Sequence, residues 1–345
     1  MKYGFGLIGC GNIAPVHADA ITRIDNARLV AVCDLVEERA RALGGKHGAD
    51  PHTDYKELLA RDDVDVVNVV TWSGNHADIG IDAARAGKHV IVTKPIDVTL
   101  EKIDRLIAAC RRQGVKLGAT HQFRSFGSFV RLKRAIEEGR LGRIYFGNAF
   151  VPWWRPQEYY DSAEWRGTWR WDGGGALMNQ GIHYVDLIQW LVGPVAHVQA
   201  YTDTLAHDIE VEDVAAAALR FHNGALGLIM GSTAVHGGLP SRIEVYGEKG
   251  NVAIDGEAIT RWQVEGEQEA AASAAASAAA GMGSADPLAG LSDAVSAHVE
   301  QISDVLRAIE EDRDPALSGE EARAAVAVVL AIYESVRTGH PAAPG

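Results

Sequence analysis

The chain has few cysteines, a deficit of basic charge and no long apolar run. Its three cysteines, Cys10, Cys33 and Cys110 in 345 residues, are too few and too scattered for a disulfide framework or a zinc site. They read as small buried hydrophobes in a reducing compartment, and no metal is expected. No stretch reaches the roughly twenty apolar residues that span a bilayer. Met1 and Lys2 lead straight into a strand-like GFGLIG without an apolar leader or cleavage site, so the expectation is a cytoplasmic protein with no membrane partner. Acidic residues outnumber basic ones 46 to 33, a net charge of −13. That balance repels phosphate backbones, and no basic patch offsets it, which excludes nucleic acid as a partner.

The remainder is an ordinary globular composition, 47% hydrophobic and 23% charged, in a chain longer than one core usually supports, so two domains are expected. From Tyr3 to about Arg124 the strand-like runs YGFGLIG, RLVAVCD, VDVVNVVT, HVIVTKP and KLGATHQ alternate with amphipathic segments such as LEKIDRLIAACRRQG. Apolar runs separated by helices imply right-handed parallel crossovers, hence an α/β first domain over 1–124 with a doubly wound parallel sheet. The rhythm then changes. A helix near Ser125 to Gly139, a strand at about Arg143 to Val151, an aromatic loop and a helix after three glycines precede VAHVQAYTD, VAAAALRFH, ALGLIMGSTAV, RIEVYG and NVAID. Turn signals between these runs predict a largely antiparallel sheet in an α+β domain over 125–345, closed by helices at roughly 291–311 and 319–338. The alanine- and serine-rich segment 268–285 reads either as a mobile surface excursion or as an alanine-rich helix.

GCGNIA, Gly9 to Ala14, follows the first strand and opens the first helix. Glycines there allow a tight turn and let the backbone approach a pyrophosphate, whose charge then sits on the helix N-terminus. Asp34 ends the second strand, where a carboxylate binds the ribose hydroxyls of an adenosine and repels a 2′-phosphate. These features favour NAD over NADP. The run D-L-V-E from Asp34 also reads as a helix capping box.

Three further groups can carry chemistry. Lys94, in TKP (Thr93 to Pro95), emerges at the carboxyl end of a strand, where it can stabilise an alkoxide or simply face water. Asn179 and His183, in GGGALMNQGIH, stand four apart on one helix. His183 can exchange a proton near neutrality and Asn179 can only orient, although a lone helical histidine is often structural. Asp186 either holds the imidazole or faces solvent. Trp153, Trp154, Trp165, Trp169 and Trp171 share one loop with Arg155, Arg166, Arg170, Tyr159 and Tyr160. This composition suits either a sugar ring or packing against the neighbouring sheet.

Together GCGNIA, Asp34, TWSGNH (Thr71 to His76), TKP and GGGALMNQGIH resemble the Gfo/Idh/MocA oxidoreductases along nearly the whole chain, including the closing GEEARAAVAVVLAIYESVRTG helix. The resemblance implies a Rossmann domain, an open C-terminal sheet that forms a homodimer or homotetramer, and NAD-dependent oxidation of a sugar, glycoside or cyclitol hydroxyl to a ketone. It assigns catalysis to Lys94, His183 and Asn179. The cofactor falls to Gly9, Gly11, Asn12, Ile13, Asp34, Thr71, Trp72, His76, Thr93, Lys94 and Gln122, and the substrate to Lys94, Arg124, Trp153, Arg166, Asn179 and His183. It also implies a cis bond before Pro95. Thr93 stands where the family has glutamate, Trp72 where it has proline, and Asn179 where inositol dehydrogenases have aspartate. The last departure is similar to members that oxidise C3 of pyranosides or nucleotide sugars. An NAD-dependent glycosidase and a non-catalytic dinucleotide sensor are the alternatives.

Overall fold

The computed structural model describes residues 2–267 and 294–345, so the alanine- and serine-rich segment lies outside the described residues. Contacts divide the chain into two units, Met1–Gln122 with Asp293–Arg323, and Phe123–Ser292 with Ala324–Gly345.

In the first unit, β1 (Tyr3–Ile8), β2 (Ala27–Cys33), β3 (Asp50–His52), β4 (Val66–Val69), β5 (His89–Thr93) and β6 (Leu117–Thr120) form a sheet in the order β3-β2-β1-β4-β5-β6. Every neighbouring pair is parallel. The connections carry α1 (Ala14–Arg23), α2 (Glu37–His47), α3 (Tyr55–Leu59), α4 (His76–Arg85) and α5 (Leu100–Gln113). The strand order reverses between β1 and β4, which opens a crevice beyond their carboxyl ends. β3 has no counterpart among the strands read from the sequence. It is three residues long and contains Pro51, which has no N–H to give a ladder and is tolerated because β3 is an edge strand.

Helix α9 (Ala294–Glu310) departs from the expected single cut at residue 124. Ile302, Val305 and Leu306 are buried in the core built around Phe5, Leu7 and Ile21. His17 of α1 meets His298 of α9 edge to face at 4.5 Å. Burial holds both imidazoles below their ordinary titration range, so they pack as neutral rings. Beyond α9, Leu317 accepts a hydrogen bond from the Ala119 N–H, extending the β6 edge.

The second unit contains β7 (Ile144–Pro152), β8 (Val195–Asp203), β9 (Val214–Phe221), β10 (Leu226–Ser232), β11 (Arg242–Gly247), β12 (Gly250–Asp255) and β13 (Ala258–Val264), ordered β13-β12-β11-β7-β10-β9-β8. Only β7 and β10 run parallel; the other neighbours are antiparallel. β13, also absent from the sequence reading, follows a turn at Asp255 and Gly256, where Gly256 adopts φ 59°. Around the sheet run α6 (Gly127–Glu137), α7 (Gln157–Asp161), α8 (Ile182–Val192) and, from Ala324 onward, α10 (Gly319–Thr338). α8 lies on one face. A Cβ at Gly147 would stand 2.6 Å from Val192 Cγ2, so a glycine is what lets this helix come so close.

From Ala215 to Phe221 the residues of β9 alternate between buried and exposed. On the exposed face, Ala216 and Ala218 align with Met230 and Leu228 of β10, while Tyr201 of β8 is 79% exposed. Among the described residues no helix is long and apolar enough to cross a membrane.

Candidate active site

The β1–α1 turn is built for an anion. Gly9 has φ 100°, and a Cβ there would meet the Val70 carbonyl oxygen at 2.6 Å, so only glycine lets the β1 and β4 ends close together. A Cβ at Gly11 would meet nothing within 4 Å; its surroundings are open. Asn12 and Ile13 complete the turn, and α1 begins with neither a side-chain cap nor an acidic residue in its first turn. Its N-terminal dipole is therefore not offset by a local carboxylate.

Asp34 accepts hydrogen bonds from the Cys10 N–H (2.8 Å, Oδ2) and the Val36 N–H (2.8 Å, Oδ1). The capping box does not form, because α2 starts later, at Glu37, with Val36 as its N-cap. Asp34 instead ties the two loops above β1 and β2 together. Each carboxylate oxygen keeps acceptor capacity for a vicinal diol. Leu35 and Val36 stand beside it, 79% and 41% exposed, an apolar platform of the kind an adenine ring covers. Burial pushes the thiols of Cys10 and Cys33 up to about 12, so both are protonated and inert in this wall.

Across the switch point, His76 is buried. Its Nδ1 lies 2.8 Å from the Pro95 carbonyl oxygen and its Nε2 3.1 Å from that of Thr71. The imidazole thus braces the loop after β4 against the loop after β5, and Thr71 Oγ1 donates to Asn75 Oδ1 (2.6 Å). Asp97 has no signal in the sequence beyond its nearness to TKP. It is fully buried and accepts from the Ala77 and Val98 N–H groups at 2.9 and 2.7 Å, fixing the start of α4. Between these braces sit half-buried Lys94 and buried Thr93, and the Lys94–Pro95 bond is cis. Trp72 is 38% exposed, and Gln122 is buried at the end of the unit.

In the second unit, the segment expected to be one α-helix opens with a π turn, Ala176–Gly181, that runs directly into α8. Its start is held by Glu212, a residue the sequence reading passed over although it forms an acidic pair with Asp213 just before an apolar strand. Glu212 Oε2 accepts from the Gly175 N–H (2.9 Å), and Oε1 accepts from the Leu177 N–H (2.9 Å) and the Tyr333 hydroxyl (2.9 Å). The glycines make this possible: a Cβ on Gly175 would lie 1.8 Å from the Glu212 carbonyl oxygen, and one on Gly174 would lie 2.1 Å from the Tyr333 hydroxyl. Burial drives the Glu212 carboxyl up to about 7, against the three donors that favour its ionised form.

On the helix so held, Asn179 Nδ2 donates to Asp172 Oδ1 (2.8 Å), while Asp172 Oδ2 accepts from the Gly167 N–H (2.9 Å). His183 is 5% exposed and stacks on Phe123, with ring centroids 4.5 Å apart and an interplanar angle of 16°. Asp186 is buried, not solvent-facing, and takes Arg124 in a two-point pair at 2.7 and 2.8 Å. Arg124, expected at the substrate, therefore has its fork engaged by this helix. The tryptophan loop serves packing in part. Trp153 Nε1 donates to Ser241 Oγ (2.6 Å), and Trp154 packs against His236 and His207. Trp169 remains 48% exposed and meets Tyr333 edge-on. Arg166 and Tyr159 form a cation–aromatic pair. Among the described residues no group of His, Cys, Asp and Glu is placed to hold a metal.

Residues 3–121 match the profile of an oxidoreductase family with an NAD-binding Rossmann fold, and residues 129–253 that of the GFO/IDH/MocA C-terminal domain. The chain belongs to the Gfo/Idh/MocA oxidoreductases. It is 28% identical to the myo-inositol 2-dehydrogenase of Thermotoga maritima over 96% of this chain and 95% of that one. Identity to the inositol 2-dehydrogenase of Rhizobium meliloti is 30%, over 74% and 77% of the two chains. Its structure matches the WlbA dehydrogenase from Bordetella pertussis, solved in complex with NADH and UDP-GlcNAcA, with 38% identity, a TM-score of 0.87 and 99% coverage of both chains. This Gfo/Idh/MocA protein is thus an NAD-binding oxidoreductase. Its open glycine turn, uncapped α1 and strand-end Asp34 fit the pyrophosphate and ribose of that cofactor.

The raised Glu212 carboxyl makes stability depend on pH. Its folded-state value of about 7 lies above the ordinary 4.5, so the folded form binds the proton more tightly. The contribution is complete below pH 4.5 and is lost as pH rises through about 7. Relative to Glu212→Gln, the protein is expected to lose about 3 kcal/mol of unfolding free energy between about pH 4.5 and pH 8, measured by urea titration at both. A difference between the two proteins that does not change with pH contradicts this.

Proposed function

We propose that the protein is a dehydrogenase that oxidises a secondary hydroxyl of a sugar ring to a ketone, and that this hydroxyl is C3 of a nucleotide-linked pyranose. The observation that carries the reading is the braced helix bearing Asn179 and His183 in a chain 38% identical over nearly its full length to an enzyme solved with NADH and a nucleotide sugar. Asparagine at 179 supports a pyranoside over an inositol, following the resemblance that motivated it.

Bound NAD supplies the hydride acceptor; the protein's side chains supply the rest. His183 accepts the hydroxyl proton. Its stacking on Phe123 fixes the ring plane, so the nitrogen that takes the proton is held in place. Asn179, whose amide nitrogen donates to Asp172, cannot take a proton and orients the substrate. Lys94 places a positive charge where oxyanion character develops, and that charge counts for more in the transition state than in the ground state.

The apolar face of the second sheet supports a homo-oligomer. Tyr201, Leu226 and Leu228, 79%, 42% and 41% exposed, line a surface of the kind that monomers rarely leave open. A dimer or tetramer is expected in sedimentation velocity at micromolar concentration, and a single monomeric boundary would exclude it.

Replacing His183 by alanine is expected to lower kcat by about 10²- to 10⁴-fold, the usual range for removing a general base, with NADH affinity changed less than about twofold. Turnover is followed by NADH absorbance. Unaltered turnover would remove His183 from the mechanism, and release of an aglycone without NADH would replace the dehydrogenase by a glycosidase.

A further inference from the structure

Two arginines crowd one aromatic ring in the tryptophan-rich loop. The Arg166 guanidinium carbon lies 4.2 Å from the centre of the Tyr159 ring and that of Arg155 5.2 Å from it. Arg166 also covers Trp165 at 4.5 Å. Like charges this close repel: after burial itself, the positive charge of Arg166 is among the influences that hold the Arg155 guanidinium below its ordinary range. Such a pair is costly unless something negative faces it.

The fold supplies Arg166 with no such group. Its Nη1 donates to the Tyr159 hydroxyl and its buried Nε has no acceptor. Among the described residues no carboxylate stands within ion-pair distance of it, in a chain with 46 acidic residues against 33 basic. Neighbouring Asp172 directs one oxygen to the Asn179 amide and the other to the Gly167 N–H.

The position of this charge says which part of a substrate meets it. The Tyr159 hydroxyl that takes Arg166 also accepts from Gln180 Nε2 at 3.2 Å, and Gln180 directly follows Asn179. The guanidinium is therefore tied, through one shared oxygen, to the turn that orients the reacting hydroxyl. An anion bound there would lie beside the turn that carries Asn179, next to the part of the substrate that Asn179 orients. With Nη1 on the Tyr159 hydroxyl and Nε buried, Nη2 is the donor that can meet a carboxylate, in a charge-assisted hydrogen bond.

We propose that Arg166 binds a carboxylate carried on the substrate's sugar ring, so that the enzyme selects a hexuronate over the corresponding neutral hexose. This rests on the dehydrogenase reading and narrows its substrate. A nucleotide sugar also carries a diphosphate, which offers the same charge, so the test separates the two sources.

The NADH-loaded full-length protein and its Arg166→Gln and Arg166→Lys variants are titrated calorimetrically with UDP-GlcNAcA, with its neutral counterpart UDP-GlcNAc, and with methyl glucuronide, which has the carboxylate without the diphosphate. Turnover with NAD+ is measured in parallel. The unaltered protein should bind UDP-GlcNAcA at least tenfold more tightly than UDP-GlcNAc. Arg166→Gln should weaken the acid by at least tenfold more than it weakens the neutral sugar, and should weaken methyl glucuronide as well, with Arg166→Lys restoring part of the loss. Equal loss for both nucleotide sugars, with methyl glucuronide unaffected, assigns the charge to the diphosphate and overturns the proposal. So does the absence of any preference in the unaltered protein. If the acid binds preferentially through Arg166 but is not oxidised, the carboxylate subsite stands and the dehydrogenase reading falls.

Discussion

A single buried carboxylate holds the turn that opens the helix bearing Asn179 and His183. Three glycines leave residues 173–175 without the side chains that would normally limit the backbone, and Glu212 converts that freedom into one geometry by taking two N–H groups and the Tyr333 hydroxyl. The same loop fastens the other wall. Asp213 accepts from the Leu205, Ala206 and His207 N–H groups and from the His207 ring, whose other nitrogen lies 2.7 Å from the Arg155 carbonyl oxygen. Burial works against ionisation of Asp213, yet these donors outweigh it and keep the carboxyl below its usual range. Adjacent acidic residues at the entrance to β9 thus position Asn179 and His183 on one side and the arginine-bearing loop on the other.

The first unit uses carboxylates in the same way. Asp34 joins the loops over β1 and β2, and Asp97 fixes the start of α4, while His76 spans two carbonyl groups. In each case the group braces backbone at the carboxyl ends of the parallel strands. A polar group in such a place must be fully bonded or it costs stability, so these residues constrain the loops more tightly than apolar packing would.

Sequence patterns reveal the sheets because apolar periodicity reports burial directly: ten strands read from apolar runs, with β7, give the core of both sheets. β3 escapes because three residues with a proline carry no period, and β13 because its alternation abuts a low-complexity tract. The placement of α9 in the first unit depends on which face of a neutral helix finds a core, as Ile302 and Leu306 do, and no local pattern records that. The glycine turn, Asp34, Lys94, Asn179 and His183 are visible because fixed spacings express their chemistry. Glu212, Asp172 and Asp97 are not, since their partners lie 35, 37, 7 and 20 residues away. Asp186 shows the same limit: its spacing from His183 is legible, its pairing with Arg124 62 residues away is not.

The account stands on hydride leaving one sugar carbon for the nicotinamide. The most direct measurement supplies UDP-GlcNAcA deuterated at C3 together with NAD+ and records the mass of the reduced cofactor. The expected product is NADH heavier by one mass unit, alongside a 3-keto sugar that has lost its label. Reduced cofactor without deuterium, or no reduced cofactor at all, would contradict it.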